Sequence, residues 1–382
     1  MLLLPTGDGK LVAWSPSGAE PVKPDPGGFH SRVAYAAAHV IPDPLWNQAP
    51  GAPPTIDWEA TLSVRRHLWD LGLGVAEAMD TAQRGAGLTW ETARELIRRT
   101  ALEAAGPAVY GAATDQLEPG SEFSLEEITM AYQEQTGFIE GLGGQAILMA
   151  SRHLAATAAT PEEYVAVYDE VISAASGQVL IHWLGAAFDP SLAGYWGAAD
   201  PRTAAETVLD LVTSHPGKVS GVKLSLLDAG LEVDLRRRLP KGVAMLTGDD
   251  LDFVDLILGD DQGHSDALLG ILGPIAPAAA AAFQALDRDD VDRYRSLLEP
   301  TLALSRHMFS EPTYHYKTGI AFLAYLNGMQ AHFRMVGGAE SARSLPHLAE
   351  LLVLADRARL ITDPELAEAR MRPVLALGGI DT

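Results

Sequence analysis

The feature that most constrains the fold is an alternation of short apolar runs with longer segments of helical periodicity, beginning near residue 30. Short apolar runs bounded by turn residues favour strands, and apolar residues that recur every three or four positions favour helices. Strands that alternate with helices predict a parallel sheet. The eight strand-like runs are 32–40, 75–80, 108–115, 145–150, 178–184, 219–225, 243–248 and 266–272.

Helical segments fall between these runs, so that nearly every strand is followed by a helix. Eight such units in about 250 residues favour a closed (β/α)8 TIM barrel of the α/β class. An open, doubly wound sheet has the same alternation and is the competing interpretation. The helical segments are 57–73, 89–105, 122–141, 160–176, 200–214, 228–238 and 250–258.

The two ends of the chain differ from this alternating middle. Near the N-terminus, two short apolar runs flank a glycine-containing turn, which predicts a β-hairpin. Beyond about residue 280 the strand pattern disappears, and helical patterns continue at 288–305, 315–335 and 342–358. We therefore predict an N-terminal hairpin extension at 1–28, a barrel at 29–285 and a C-terminal helical region at 286–382.

Composition narrows the classes of partner. The formal net charge is −22, which disfavours binding to nucleic acid and to anionic membrane surfaces. Cysteine is absent, so disulfides, thiol nucleophiles and sulfur-ligated zinc are excluded. No run is long and apolar enough for a spanning helix, and the N-terminal residues lack the basic region of a signal peptide. These observations predict a cytoplasmic protein that acts on a small molecule.

One lysine stands out on the sixth strand-like run. Side chains alternate across a strand, so Lys223 shares its face with Gly221 and Ser225, while Val222 and Leu224 share the other. In a barrel the small neighbours would leave space beside an inward, dehydrated amine. Dehydration lowers the pKa of a lysine, and a neutral amine can attack a carbonyl. The alternative is a lysine that forms a structural ion pair, which is the usual state of a buried lysine.

The segment Gly221-Val222-Lys223, followed some two dozen residues later by Met245-Leu246-Thr247-Gly248-Asp249-Asp250, resembles the dihydrodipicolinate synthase/N-acetylneuraminate lyase family. That family has a similar lysine-bearing sixth strand and a similar end to its seventh. The resemblance covers about 30–360 and indicates a divergent member. Other segments in matching order are 179–185, His264 with 270–274, Leu88-Thr89 with Glu91, and Tyr316-Lys317-Thr318-Gly319.

The resemblance implies an imine between Lys223 and a keto acid, with no cofactor. It also places His153 where the family has a proton-relaying tyrosine, and imidazole can move protons near neutral pH. In the turn that holds the substrate carboxylate, Thr81 matches one of the family's two threonines and Ala82 replaces the other. Arg84 stands where an acid is usual. These departures predict a more polar pocket for a more oxygenated substrate than pyruvate.

Four more residues are candidates for substrate binding. Arg152 precedes His153 and could hold an anionic or hydroxylated group, or be solvated. His182 lies near the end of the fifth strand, where barrel enzymes place catalytic groups, although a histidine bonded in the core is an equal alternative. Gly248 and Asp249 follow the seventh strand. An aspartate there also suits a helix N-cap.

The sequence thus predicts a class I aldolase-type lyase or synthase that acts on a keto acid or sugar-derived ketone through Lys223, in a homo-oligomer formed by the C-terminal helices. Three alternatives stay open: a dehydratase that uses the same imine, a barrel that binds a metabolite without catalysis, and a metal-dependent enzyme. A metal would need scattered ligands, because the chain has no adjacent pair of metal-binding histidines. The ligands available are His39, His182, Asp249 and His264.

Overall fold

The structure is a computed structural model that describes residues 1–380, and its centre is a closed barrel of eight parallel strands. The strand order β10-β3-β4-β5-β6-β7-β8-β9 follows the chain around the ring. This confirms the predicted (β/α)8 barrel, and the competing prediction of an open, doubly wound sheet is wrong. The barrel strands are β3 (Ala34–Ala37), β4 (Gly74–Glu77), β5 (Ala108–Ala112), β6 (Gln145–Leu148), β7 (Val179–Leu184), β8 (Val219–Ser225), β9 (Ala244–Thr247) and β10 (Asp266–Leu269).

Helices lie between successive strands and continue after the last one. The predicted helices of the barrel are all present, and α4 and α13 lie outside the helical segments that the sequence pattern predicts. The predicted helix at 315–335 is shorter than expected and ends at Leu326. The helices are α1 (Trp58–Asp70), α2 (Trp90–Glu103), α3 (Leu125–Gly141), α4 (Arg152–Thr157), α5 (Pro161–Ala174), α6 (Pro201–Ser214), α7 (Ala229–Arg238), α8 (Phe253–Leu258), α9 (Ala276–Leu286), α10 (Val291–Met308), α11 (Tyr316–Leu326), α12 (Leu345–Arg357) and α13 (Pro364–Leu377).

Side-chain caps fix where several barrel helices begin. Before α3, the Ser124 hydroxyl accepts from the Glu127 amide at 3.2 Å, and the Glu127 carboxylate accepts from the Ser124 amide at 2.8 Å. Thr160 and Glu163 form the same reciprocal capping box before α5, whose first residue is proline. These bonds satisfy amide groups that have no partner within the helix and so define its first turn.

The barrel interior is divided into an apolar part and a polar part. Small and branched apolar side chains, including Ala76, Val109, Ile147 and Leu180, form an apolar cluster within the ring. Leu180 shares its face of β7 with His182, because residues two apart on a strand point the same way. The apolar cluster therefore fills much of the interior, and His182 lies nearer the carboxyl-terminal mouth than Leu180 does.

A buried ion pair joins α1 to the second barrel strand. Arg65 donates from Nε and Nη2 to the two oxygens of Glu77, each at 2.8 Å, and both side chains are fully buried. Thr100 of α2 donates to the same carboxylate at 2.6 Å, and Arg65 also donates to the carbonyl oxygen of His39. Because every partner is buried, removal of one would leave a charge without compensation.

The two ends of the chain pack together outside the barrel. Strands β1 (Leu2–Pro5) and β2 (Leu11–Trp14) form the predicted antiparallel hairpin. The segment after it is bound to α12 through Ser17, whose hydroxyl donates to Asp356 at 2.8 Å, and to α9 through Asp25, whose carbonyl accepts from Gln284 at 2.7 Å. Within residues 1–380, no helix has the length and apolar character needed to cross a membrane.

Candidate active site

Lys223 lies inside the barrel on β8, beside His182 of β7 and Leu246 of β9 in the strand register. Only 4% of its surface is exposed, and it forms no hydrogen bond or ion pair within the described residues 1–380. Burial lowers the pKa of Lys223, and the nearby carboxylates of Asp80 and Asp250 act in the opposite direction. The structural ion pair that the sequence leaves open as the alternative is not formed.

Two carboxylates flank this lysine, and their environments move their pKa values apart. Burial raises the pKa of Asp250, which follows β9 and accepts from the Ile271 amide at 2.8 Å. Asp80 follows β4. Burial opposes its ionisation, but the charges of Lys223 and Lys317 outweigh it and lower the pKa of Asp80. One carboxyl group is thus kept ionised and the other favours its proton, which is the usual arrangement of an acid and an anionic stabiliser in one site.

Tyr316 of the C-terminal helical region closes the mouth of the barrel above this cluster. Its hydroxyl donates to Asp80 Oδ2 at 2.5 Å and lies 2.5 Å from Thr81 Oγ1. Its ring stacks on Phe309 with centroids 4.5 Å apart, beside the end of β10. A Cβ on Gly270 would lie 2.8 Å from the Tyr316 ring, so glycine is needed for this approach. Tyr316 therefore reaches across the mouth from β10 to the turn after β4.

His182 and Gly248 complete the surroundings of Lys223. His182 Nε2 lies 3.1 Å from Ser225 Oγ, while its buried Nδ1 has no hydrogen-bond partner among residues 1–380. Burial and the charge of Lys223 hold the pKa of His182 far below its ordinary value, so the ring is neutral. A Cβ on Gly248 would lie 3.0 Å from Lys223 Cε and 2.7 Å from the Leu224 carbonyl oxygen. The absence of a side chain at Gly248 thus leaves room for the lysine.

A cavity of about 880 Å³ opens over the carboxyl ends of β4 to β7. This is the end of the barrel where TIM-barrel enzymes carry their active sites. Lys223 and His182 do not line this cavity. Asp80, which acts on the charge of Lys223, does line it, so the cavity meets the Lys223 cluster at Asp80. The lining includes Asp80, Trp90, Arg152, His153, Phe188 and Lys317.

His153 and Arg152 begin α4 on the wall of this cavity. His153 Nδ1 lies 3.0 Å from Thr114 Oγ1, and burial lowers its pKa. Arg152 donates to Asp189 at 2.5 Å and to the carbonyl oxygen of Gly85 at 2.6 Å. Neither side chain is among the groups that shift the pKa of Lys223. The structure therefore brings His182 and Gly248 next to Lys223. Thr81 is linked to this cluster through Tyr316 and Asp80. His153 and Arg152 lie along the cavity instead.

Arg84 corrects the expectation of a more polar carboxylate-binding turn. All five of its N–H groups already have acceptors, so no donor is left for a substrate. Ala82 beside it is fully buried and does not line the cavity. The acceptors of Arg84 are both carboxylate oxygens of Asp115, the carbonyl oxygens of Ala78 and Gly111, and the side-chain oxygen of Gln135.

The side chain of Asp249 bonds to backbone amides of the turn that follows it and is not part of the Lys223 cluster. Its Oδ1 accepts from the amides of Leu251 at 2.9 Å and Asp252 at 3.1 Å. These bonds lie in the turn before α8, whose N-cap position is Asp252, so the helix N-cap that the sequence leaves open for Asp249 is wrong. The carboxylate that acts on Lys223 belongs to its neighbour Asp250. The ligands of the metal alternative do not converge either, because no three His, Asp or Glu side chains within residues 1–380 come together as a metal site.

Comparison with protein families gives one match that spans almost the whole chain. The model of a family described as "Protein of unknown function (DUF993)" matches residues 2–380. The chain belongs to this family. No curated protein matches the sequence.

Solved structures similar to this one belong to the dihydrodipicolinate synthase family. A prophage protein of that family from E. coli K12, determined in complex with pyruvate, has 14% identity and a TM-score of 0.64, covering 85% of this chain and 99% of its own. Dihydrodipicolinate synthase from Oceanobacillus iheyensis has 15% identity and a TM-score of 0.61, and the match covers 84% of this chain and 96% of that enzyme. Dihydrodipicolinate synthase from Aquifex aeolicus has 15% identity and a TM-score of 0.61, and the match covers 86% of this chain and 99% of that enzyme. The resemblance predicted from the sequence is confirmed at the level of the fold.

Sequence reasoning missed four residues of the site. Asp80 had a usable signal, because it directly follows a barrel strand. Asp250 follows the seventh strand as closely as Asp249 does. Tyr316 and Lys317 belong to a segment that the resemblance matches, but the sequence analysis gave them no role at the site.

Proposed function

We propose that the protein is a class I aldolase-type lyase or synthase in which Lys223 forms an imine with a carbonyl substrate. The observation that carries this proposal is the unpaired, buried amine of Lys223 between Asp80 and Asp250, whose pKa values are shifted in opposite directions. A buried lysine without a partner is rare in a structural role. A lysine with a lowered pKa is the nucleophile that imine formation requires.

In the proposed reaction, the neutral amine of Lys223 attacks the carbonyl carbon, and an amine proton moves to the resulting alkoxide to give a carbinolamine. Asp250, in its protonated form, donates a proton to the hydroxyl, which leaves as water while the C=N bond forms. Asp250 becomes a carboxylate, and the nitrogen becomes a positively charged iminium. The ionised carboxylate of Asp80 stabilises that positive charge, since the two interact in a buried site.

The iminium then withdraws electrons from the neighbouring carbon. In a cleavage, the bond to the next carbon breaks, its electrons form an enamine, and the proton of the hydroxyl on the departing carbon passes to a base. His153 on the cavity wall is the predicted base for a substrate that extends outward, because neutral imidazole accepts protons near neutral pH. Thr81, Arg152, His182 and Gly248 are the predicted contacts of the bound substrate.

Reductive trapping tests the proposal directly. Borohydride should fix the substrate to the protein, and intact mass with peptide mapping should place the adduct on Lys223. The panel contains aldehydes, keto acids and sugar-derived ketones. Lys223→Arg should lose the adduct, because arginine stays protonated and is not a substitute nucleophile. Lys218→Arg is the matched control, since Lys218 neighbours β8 but donates to the carbonyl oxygen of Ala175.

Two results would contradict the proposal. Full turnover by Lys223→Arg would show that no imine at this position is needed. An adduct on Lys317 in place of Lys223 would move the nucleophile to the cavity wall. The predicted homo-oligomer stays a prediction, which sedimentation of the purified chain would test.

A further inference from the structure

Lys317 is a second cation at the site, and the proposed imine chemistry does not use it. It is the second residue of α11, directly after Tyr316, and it lies on the cavity wall. Its ammonium forms no hydrogen bond or ion pair within the part of the chain that the structure describes, and it lies 5.9 Å from the centre of the Tyr316 ring. Asp80, Arg152 and Asp189 are close enough to act on its charge.

An unpaired ammonium on the wall of a cavity is available to a ligand. Lys317 is half-buried there, and a partly desolvated charge is stabilised by a partner. This chain has 50 acidic residues against 28 basic ones, so carboxylates are plentiful. Even so, Asp189 bonds to Arg152 at 2.5 Å and Asp80 bonds to Tyr316, and Lys317 on the cavity wall has no hydrogen-bond partner among residues 1–380. This arrangement suits a negatively charged ligand that enters from solution.

We propose that Lys317, with Arg152 beside it, binds a carboxylate of the substrate that is not attached to the carbonyl carbon. The inference rests on the proposed function of Lys223 and names the class of substrate. Asp80 interacts with both lysines, so it lies along the path between the reacting carbonyl and this carboxylate. The substrate would then be an oxo acid whose intermediate carbons pass Asp80 and Tyr316.

The balance of charge favours a carboxylate over a phosphate. Near Lys317, the two cations Lys317 and Arg152 face the two anions Asp189 and Asp80. These four charges already cancel, and the iminium formed at Lys223 is matched by the carboxylate that Asp250 becomes. A substrate carboxylate therefore adds one negative charge to this group, whereas a phosphate dianion would add two. Among the described residues, Arg152 bonds only to Asp189 and Gly85, and its other N–H groups can share the carboxylate with Lys317.

The test compares levulinate, a keto acid with a remote carboxylate, with its neutral methyl ester. The readout is the initial rate of borohydride-dependent labelling of Lys223 at low concentration. Levulinate should label wild-type protein at least ten times faster than methyl levulinate. Lys317→Met, which keeps the length of the side chain without the charge, should reduce the ratio of the two rates to near one. Lys317→Arg should retain most of the ratio, and Lys241→Met, an exposed position, should retain all of it.

Several outcomes overturn the inference. Equal labelling of wild-type protein by acid and ester would show that no carboxylate is recognised. An unchanged ratio in Lys317→Met would show that another group recognises it. Faster labelling by dihydroxyacetone phosphate than by dihydroxyacetone, without a preference for levulinate over its ester, would replace the carboxylate with a phosphate.

A separate binding measurement distinguishes failure of this inference from failure of the proposed function. Levulinate should raise the melting temperature of wild-type protein in the absence of borohydride, because a ligand that binds only the folded state stabilises it. The rise should persist in Lys223→Met and disappear in Lys317→Met. Absence of labelling together with this pattern would refute the imine and support the carboxylate site. Absence of any rise in wild-type protein would refute the site itself.

Discussion

Glu232 gives the sharpest prediction about stability. It lies on α7, where it is almost fully buried against β9 and accepts a hydrogen bond from the Ser265 hydroxyl at 2.7 Å. Burial raises the pKa of Glu232 from 4.5 to about 8, and the neighbouring carboxylate of Asp249 acts in the same direction. The folded protein therefore holds a proton on Glu232 at pH values where the unfolded chain has released it.

The magnitude follows from that difference in pKa. Between pH 4.5 and about 8 the unfolded state binds fewer protons at this residue than the folded state, so the free energy of unfolding falls as the pH rises. At about 1.4 kcal/mol for each pH unit, the loss across the whole window is on the order of 5 kcal/mol. The stabilisation is complete below pH 4.5 and is lost as the pH rises through the folded-state pKa of about 8.

Glu232→Gln keeps the shape and the hydrogen-bonding capacity of the protonated side chain but cannot ionise. Urea unfolding at pH 5 should give free energies of unfolding within about 1 kcal/mol of wild-type protein, since both side chains are neutral when folded. At pH 8.5 the variant should be more stable, by roughly 3–5 kcal/mol. Glu350→Gln is the control, because Glu350 is exposed. A difference between variant and wild type that is the same at both pH values would refute the reasoning.

Four further predictions concern the barrel and its mouth. Glu77→Gln should lower the free energy of unfolding by about 3–5 kcal/mol, because it leaves Arg65 buried with only part of its partner; a urea-measured loss below about 1 kcal/mol would contradict this. Gly248→Ala should lose substrate labelling of Lys223, because the added Cβ would overlap Ser225 Oγ and lie 3.0 Å from Lys223 Cε; wild-type labelling by the folded variant would contradict it. Tyr316→Phe should lower stability by about 1–3 kcal/mol in thermal unfolding, because it leaves a buried carboxylate with one bond fewer. Amidination of Lys223, followed by mass spectrometry, should reach half its maximal rate below pH 10.5, because burial lowers the pKa; a midpoint above that value would refute this.

The fold could be predicted from the sequence because the barrel strands are short, mostly apolar runs and the helices between them have their own periodicity. Helix α4 was missed because its six residues, Arg152–Thr157, are too few to show a repeat of 3.6. The predicted helix at 315–335 was too long because apolar residues continue past Asn327, where the backbone turns to bring Met329 under α11. The division into regions 1–28, 29–285 and 286–382 stays a prediction.

The site was predictable only where regular strand geometry applies. Alternation along β8 identifies Lys223 as a residue with small neighbours on its own face. Beyond Thr247 the strand has ended, so the turn decides which of Asp249 and Asp250 points inward, and the sequence pattern does not extend that far. The bond from Tyr316 to Asp80 joins residues 236 positions apart, a separation at which local patterns carry no information.

The bond between Tyr316 and Asp80 also has a consequence for the order in which the protein is made. The ribosome finishes all eight barrel strands, Lys223 included, well before it adds residue 316. Until then the mouth lacks its aromatic cover, and Asp80 lacks the hydroxyl that holds it in place. A nascent chain could close its ring of strands without yet having a finished reaction centre. The chemistry proposed for Lys223 would therefore begin only when synthesis has passed α11.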